Sequence, residues 1–342
     1  MLLTDLAYPL AWRSKAAAMA QALLDHESYL VCAHVRLDGD ALSSMTAMAH
    51  FLAQHNKRFL LYAPMGVPEN YEFLPIPVPV YRTLAALPFR PRTLLALDCG
   101  EPGRLGEELR SEVSEYSCIN IDHHHGPGMG TIANLVLPEA SSTTQILATI
   151  FHMAQATLSR ELAEALALGL ITDTGGFRHA NASPEVFALA ALLEQAGVSI
   201  HRLREHLEKN WTAAKMRLWG MMSAAMEFMD GERVAMTTLS MEALEKSGAR
   251  PEDTEGFVEH LRELRTVEIA VFLREQSPNV CKFSLRSIEE LDVHAIAASL
   301  GGGGHRNASG GTLAMPLENA RRLLVKTVLA ARGQADPGKA QI

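Results

Sequence analysis

The sequence predicts an α/β protein in two parts: a parallel-sheet domain first, then a smaller α/β domain built on a mixed sheet. Three observations lead there. The chain's 342 residues are about twice the usual domain length. Over residues 1–195, short β-branched apolar runs alternate with segments of helical periodicity, as expected of strands joined by crossover helices. Beyond Gly197 that alternation gives way to strand-like runs separated by charged helical segments.

Taken in order, SYLVCAHV (28–35) reads as the first strand, and residues 41–55 have helical spacing. RFLLYAP (58–64), TLLALDCG (93–100) and SCINIDHHH (117–125) are further strands, each running into polar or turn residues. GRLGEELRSEVSE and SSTTQILATIFHMAQA are helical, with serine and threonine available as caps. The proline-rich LPIPVPV (74–80) lacks the backbone donors of a central strand and reads as an irregular connection. A first domain over 1–195 is followed by an expected helical linker at 196–220. In the second domain, 221–332, RVAMTTLS, VEIAVFLREQ and NVCKFSLRS are strands compatible with antiparallel pairing. ALEKSG, EGFVEHLREL and DVHAIAASL are helices, and 317–331 is a closing helix. Residues 333–342, GQADPGKAQI, are expected to form a disordered tail.

Composition narrows the function. Hydrophobic residues at 48% and charged residues at 20% supply an ordinary core. No apolar run reaches the roughly 18 residues needed to cross a bilayer, and MLLTDLAYPLAWRSK lacks the layout of an export signal. Cys32, Cys99, Cys118 and Cys281 are far apart with no C-x-x-C pair, which points to reduced thiols and a cytoplasmic protein. Residues 1–195 carry 12 Lys+Arg against 20 Asp+Glu, and residues 196–342 carry 19 against 19. Such a balance argues against a protein that coats long duplex nucleic acid.

Four segments place Asp or His at the end of an expected strand or helix: His34, Asp38 and Asp40; Asp98; Asp122 with His123, His124 and His125; and Asp173. Ligands in open α/β sheets bind at the carboxyl edge of the strands, so these groups are expected to meet in space. Converging carboxylates repel and cannot all stay ionised without counter-charge. Two divalent cations would offset four carboxylates, and mixed oxygen and imidazole donors suit manganese, iron(II), cobalt or zinc better than calcium.

These residues closely resemble the DHH phosphoesterase superfamily, specifically the two-domain DHH–DHHA1 proteins of the nanoRNase type. HVRLDGDALSS, LLALDCG, NIDHHH, ITDTGGFRHAN and GGGGHRNASGG carry the likeness, which spans about residues 15–330. The resemblance implies hydrolysis of very short oligoribonucleotides and of 3'-phosphoadenosine 5'-phosphate (pAp), with two divalent cations, manganese foremost. It implies that His34, Asp38 and Asp98 hold one cation and that Asp40, Asp98, His123 and Asp173 hold the other. Asp98 would bridge them, and Asp122 would orient a neighbouring group. His124 would contact phosphate or protonate the leaving group, and His125 is given a structural role. Two cations roughly 3.5–4 Å apart lower the pKa of water and neutralise phosphoryl oxygens during in-line attack.

In the second domain, Gly303, Gly304 and His305 of the glycine run are expected to approach a phosphate, and Arg286 is expected to grip one through its guanidinium fork. The domain thus reads as a substrate clamp facing the cations across a cleft. Short RNA and pAp are the expected partners, with no membrane and no long duplex; the resemblance also admits a homodimer. The same site would serve a cyclic or linear dinucleotide (c-di-AMP or pApA) phosphodiesterase. A nucleotide sensor without turnover is the rival of another class, although no expected ligand position is substituted.

Overall fold

A computed structural model describes residues 8–208, 211–288 and 291–335, and the chain divides into two compact units, Met1–Asn210 and Trp211–Ile342. The first holds α1 (Arg13–Asp25), β1 (Ser28–Cys32), α2 (Gly39–Gln54), β2 (Arg58–Tyr62), β3 (Val80–Tyr81), β4 (Thr93–Leu97) and α3 (Glu107–Glu112). It continues through β5 (Ser117–Asp122), β6 (Ala133–Val136), α4 (Thr143–Met153), α5 (Arg160–Asp173), α6 (Pro184–Gln195) and α7 (Ile200–Glu208). All six strands are parallel, in the order β3-β2-β1-β4-β5-β6.

Alternation along the strands sends side chains to both faces. Tyr29, Val31, Leu95 and Ile119 join a core with Met45, Met48 and Phe151 from the helices on one side. Leu30, Cys32, Leu94, Ala96 and Cys118 meet Leu109 of α3 on the other. Each such Leu, fully buried, contributes about 1.5–3 kcal/mol relative to exposure. Sequence order reverses between β1 and β4, so the crevice beyond their carboxyl ends is the topological switch point of the sheet. All four cysteines are free and buried.

The second unit holds α8 (Ala213–Ala224), β7 (Glu227–Met229), β8 (Val234–Leu239), α9 (Met241–Ser247), α10 (Phe257–Arg262) and β9 (Ile269–Ser277). Then come β10 (Val280–Ser287), α11 (Val293–Ser299), β11 (Gly303–His305), β12 (Ala308–Leu313) and α12 (Leu317–Ala335). Its sheet runs β11-β12-β10-β9-β8-β7 and is mixed, because β8 and β9 pair in parallel across the crossover made by α9 and α10. The expectation of antiparallel pairing fails at that one junction. Phe283 and Leu285 pack toward α11 and α12, while Ala270 and Phe272 pack toward α8 and α10.

The stretch 196–220, expected as a linker, is two helices with different loyalties. Leu203 of α7 belongs to the core of the first unit, whereas Leu218 and Met222 of α8 belong to the second. Val80 of the proline-rich stretch supplies the edge strand β3, and the residues before it are irregular. The tail expected from 333 onward falls largely outside the described residues. No single helix among the described residues is long and apolar enough to cross a membrane.

Candidate metal and phosphate site

Each acidic or imidazole group of the first unit arrives by a different local device. Asp38 is the N-cap of α2: its Oδ1 accepts from the Ala41 N–H at 3.0 Å, leaving Oδ2 3.3 Å from His34 Nε2. Asp98 follows β4 at φ 53°, a left-handed conformation that Asp tolerates better than most residues. That turn sends its two oxygens in different directions. Oδ2 lies 3.5 Å from His34 Nε2, and Oδ1 lies 3.5 Å from His123 Nε2 and accepts from Thr143 Oγ1 at 2.9 Å. Asp173, the last residue of α5, brings Oδ2 to 3.1 Å from His123 Nε2.

Asp40 is fully buried in the first turn of α2 and is held by the start of α4. It accepts from the N–H groups of Thr143 (2.6 Å) and Thr144 (3.1 Å) and from Thr144 Oγ1 (2.8 Å). The positive end of the α4 dipole thus faces this carboxylate. The approach depends on two glycines. A Cβ on Gly169 would lie 2.5 Å from Asp40 Oδ1, and one on Gly39 would lie 2.3 Å from Thr172, so α2 and α5 close up only with hydrogen at both positions.

Two three-residue groups can each hold a cation: His34, Asp38 and Asp98; and Asp40, His123 and Asp173. A third group, Asp98 with His123 and His124, overlaps the second. These donors fit hard or borderline divalent cations on chemical grounds. His34 Nε2 is buried and makes no well-formed hydrogen bond although two carboxylates lie beside it. Burial, followed by the charges of Asp98 and Asp173, pushes the Asp40 carboxyl well above its usual range. Asp173 also rises, through burial first, despite His123 pulling the other way. Burial pulls the two histidines down, but nearby carboxylates outweigh it. Asp38 and Asp98 raise His34 to about 9, and Asp173, Asp40 and Asp98 raise His123 to about 9. The cation-free cluster thus offsets its carboxylates with protons held on Asp40, His34 and His123, which a divalent cation would replace.

His124 is held differently. Its Nδ1 lies 2.8 Å from Asp122 Oδ1, which also accepts from the His124 backbone N–H at 3.0 Å. Burial works to raise the Asp122 carboxyl, yet its bonds to His124 leave it below the usual range. An ionised carboxylate can only accept, so Nδ1 carries the proton and Nε2 is the free nitrogen. His125 is exposed, and among the described residues it makes no hydrogen bond or ion pair that would give it the structural role expected.

In the second unit, Arg286 spends its fork on Glu259, with Nε and Nη2 at 2.9 and 2.7 Å from Oε1. Gly303, Gly304 and His305 form the edge strand β11, paired to Gly310, Ser309 and Ala308. Part of the glycine run thus serves the fold: the N–H groups of Gly301 and Gly302 close the end of α11 on Ala298 and Ala297 carbonyls. Asn307 locks the hairpin through Nδ2 bonds to Ser287 Oγ, Ile288 O and Leu291 O. Thr143, Thr144, Gly39, Gly169 and Glu259 escaped the sequence reading. The SSTT start of α4 was visible only as a cap.

Fold and cluster together define a doubly wound α/β protein with a carboxylate and imidazole centre at its switch point. The profile described as "DHH family, N-terminal domain" matches residues 28–170, and that described as "DHHA1 domain" matches residues 231–331. The chain is 33% identical over 285 residues to the bifunctional oligoribonuclease and PAP phosphatase NrnA of Thermus thermophilus, covering 83% of each. It is 23% identical over 295 residues to the protein so described from Mycoplasma genitalium, covering 84% of this chain and 89% of that one. In fold it resembles an exopolyphosphatase-related protein from Bacteroides fragilis, with a TM-score of 0.82, 24% identity, and coverage of 94% and 98%. The chain belongs to the DHH family and carries a DHHA1 domain.

Proposed function

We propose that the protein is a metal-dependent phosphodiesterase that degrades very short oligoribonucleotides to nucleoside 5'-monophosphates and converts pAp to AMP. The observation that carries this reading is the buried, cation-deficient cluster around Asp98, in a chain similar to a bifunctional oligoribonuclease and PAP phosphatase. His34, Asp38 and Asp98 would hold one divalent cation, and Asp40, Asp98, His123 and Asp173 the other; the donors suit manganese, iron(II), cobalt or zinc, and the family resemblance puts manganese first. When bound, such cations activate water and neutralise phosphoryl oxygens.

This chain's own residues do the rest. Asp98 serves both cation positions because its two oxygens face different histidines. Asp122 holds the His124 ring through Nδ1, which leaves Nε2 as the nitrogen that would pass a proton to the leaving oxygen. Thr143 and Thr144 keep Asp98 and Asp40 from rotating away. In the second unit, Arg286 and His305 bind a phosphate that is not cleaved, with Gly303 and Gly304 leaving room for it. Four free cysteines suit a cytoplasmic location.

The test is competition between a 3-mer and a 24-mer RNA at equal end concentration and fixed salt, with manganese supplied after chelation. Faster cleavage of the 3-mer is expected, because an acidic first half and a charge-neutral second half favour no long trailing strand. Equal or faster cleavage of the 24-mer would favour a processive exonuclease. Binding without turnover of either RNA or of pAp would favour a sensor.

A further inference from the structure

The register of the second sheet places more cationic chemistry on one face than a single phosphate needs. Directly opposed residues of antiparallel strands project to the same side. One row across the sheet is therefore His305, Ala308, Arg286 and Ala270, and the next is Gly303, Gly310, Ser284 and Phe272. The third contains Thr312, Lys282 and Arg274. The buried partners Cys281, Phe283 and Leu285 alternate to the other face. Small residues at Ala308, Gly310 and Ser284 make a low floor, bordered by Arg286 and His305 at one end and by Lys282 and Arg274 at the other.

Lys282 and Arg274 are a like-charged pair set directly opposite each other, which costs stability unless an anion sits between them. Arg274 is anchored by Nη1 to the Pro251 carbonyl at 2.7 Å, whereas the Lys282 ammonium has no ion pair or hydrogen bond among the described residues. Both line a cavity of about 400 Å³ together with Ser284 and Arg286. Lys282 and Arg286 are two strand repeats apart, roughly 13 Å along β10 between Cα atoms, and their long side chains can converge. Glu252, Glu255 and Glu259 line the same cavity.

We propose that Lys282 and Arg274 form a second phosphate subsite, which takes the next phosphate of an oligoribonucleotide whose neighbouring phosphate is held by Arg286 and His305. Of the lining glutamates, Glu252 and Glu255 would accept from ribose hydroxyls, which are donors, while Glu259 competes with substrate for Arg286. An inorganic polyphosphate has acceptors only and is disfavoured there. The subsite rests on the nucleotide reading above and deepens it: it makes Lys282 a determinant of length, used by a trinucleotide and left empty by pAp or a dinucleotide.

The experiment compares kcat/KM of the manganese-loaded wild type, Lys282→Gln and Lys282→Arg on 5'-phosphorylated diadenylate and triadenylate. Lys282→Gln should lose about tenfold on the trinucleotide and less than twofold on the dinucleotide. Lys282→Arg should retain the trinucleotide rate within about threefold. The salt dependence of the trinucleotide reaction should become shallower by about 0.7 in log–log slope for Lys282→Gln, the loss of one single-strand phosphate contact. Tripolyphosphate should compete poorly. An unchanged trinucleotide rate, an equal loss on both substrates, or competition by tripolyphosphate as strong as by the trinucleotide would overturn the subsite. Failure of the wild type to cleave either RNA would instead remove the nucleotide reading itself.

Discussion

Asp40 and Asp98 of the first unit are sealed from water, and no lysine or arginine pairs with either among the described residues. Arg286 of the second unit, a quarter exposed, already holds the Glu259 carboxylate in its fork. In one region, buried carboxylates are balanced by protons on Asp40, His34 and His123 unless a cation takes their place. In the other, positive charge is balanced by Glu259, which under the function proposed above a substrate anion would displace. The difference lies in desolvation. A buried carboxylate cluster cannot use solvent as a counter-charge, whereas a partly exposed pair exchanges partners at little cost. Metal is thus expected to be a standing part of the first unit and substrate a transient guest of the second.

Asp98→Asn breaks the comparison most severely. Asparagine tolerates the left-handed backbone at φ 53°, so folding should survive while phosphodiester hydrolysis falls by at least 100-fold and metal content drops. Turnover kinetics with metal analysis on the same sample checks this. Retention of a tenth of the activity with both cations bound would contradict the bridging role. Asp98→Ala should lose the same activity and about 1–2 kcal/mol of stability besides, measurable by denaturant unfolding.

A smaller loss is expected at the groups that hold the carboxylates. Thr144→Val removes a 2.8 Å bond to Asp40 Oδ1 and should weaken metal affinity about 10–100-fold, with little change in KM at saturating manganese. Metal titration followed by calorimetry would show it.

Proton competition sharpens the contrast further. His34 and His123, raised from 6.5 to about 9 by their carboxylate neighbours, must lose protons before they can ligate. Metal affinity should therefore climb with pH by up to about tenfold per unit for each histidine, levelling off above about 9. In the cation-free protein the sign reverses. The histidines' stabilising contribution is complete below 6.5 and is lost as pH rises through about 9. Thermal unfolding with and without manganese across pH 6–9.5 separates the two trends, and parallel curves would show that neither histidine meets the metal.

The smallest effect belongs to the second unit. Glu259→Gln removes the charge that competes for Arg286, so KM for short RNA should fall about two- to fivefold while kcat and metal content stay put. His305→Ala should move KM upward, again with metal content unchanged. A cation lost in either variant would mean that the two units do not divide the work this way.

The strands of the first unit were legible because apolar β-branched runs with polar ends have few alternatives in a parallel sheet. The acidic and histidine residues were legible for the same reason, since each stands at or near an end of a strand or helix, Asp38 and Asp40 at the start of α2. Less was visible in short or weakly patterned elements: α1, β6, α6 and β7 went unread, and the glycine run did not announce a hairpin. The chain alone thus determined which groups gather at the carboxyl edge of the sheet, because the strands and the polar residues at their ends follow from local pattern. Tertiary structure decided which oxygen of Asp98 faces which histidine, that α4 clasps Asp40, and that Lys282 lies opposite Arg274. Those facts depend on close helix approach and on strand register. Both are set by contacts between residues far apart in sequence, which no local pattern records.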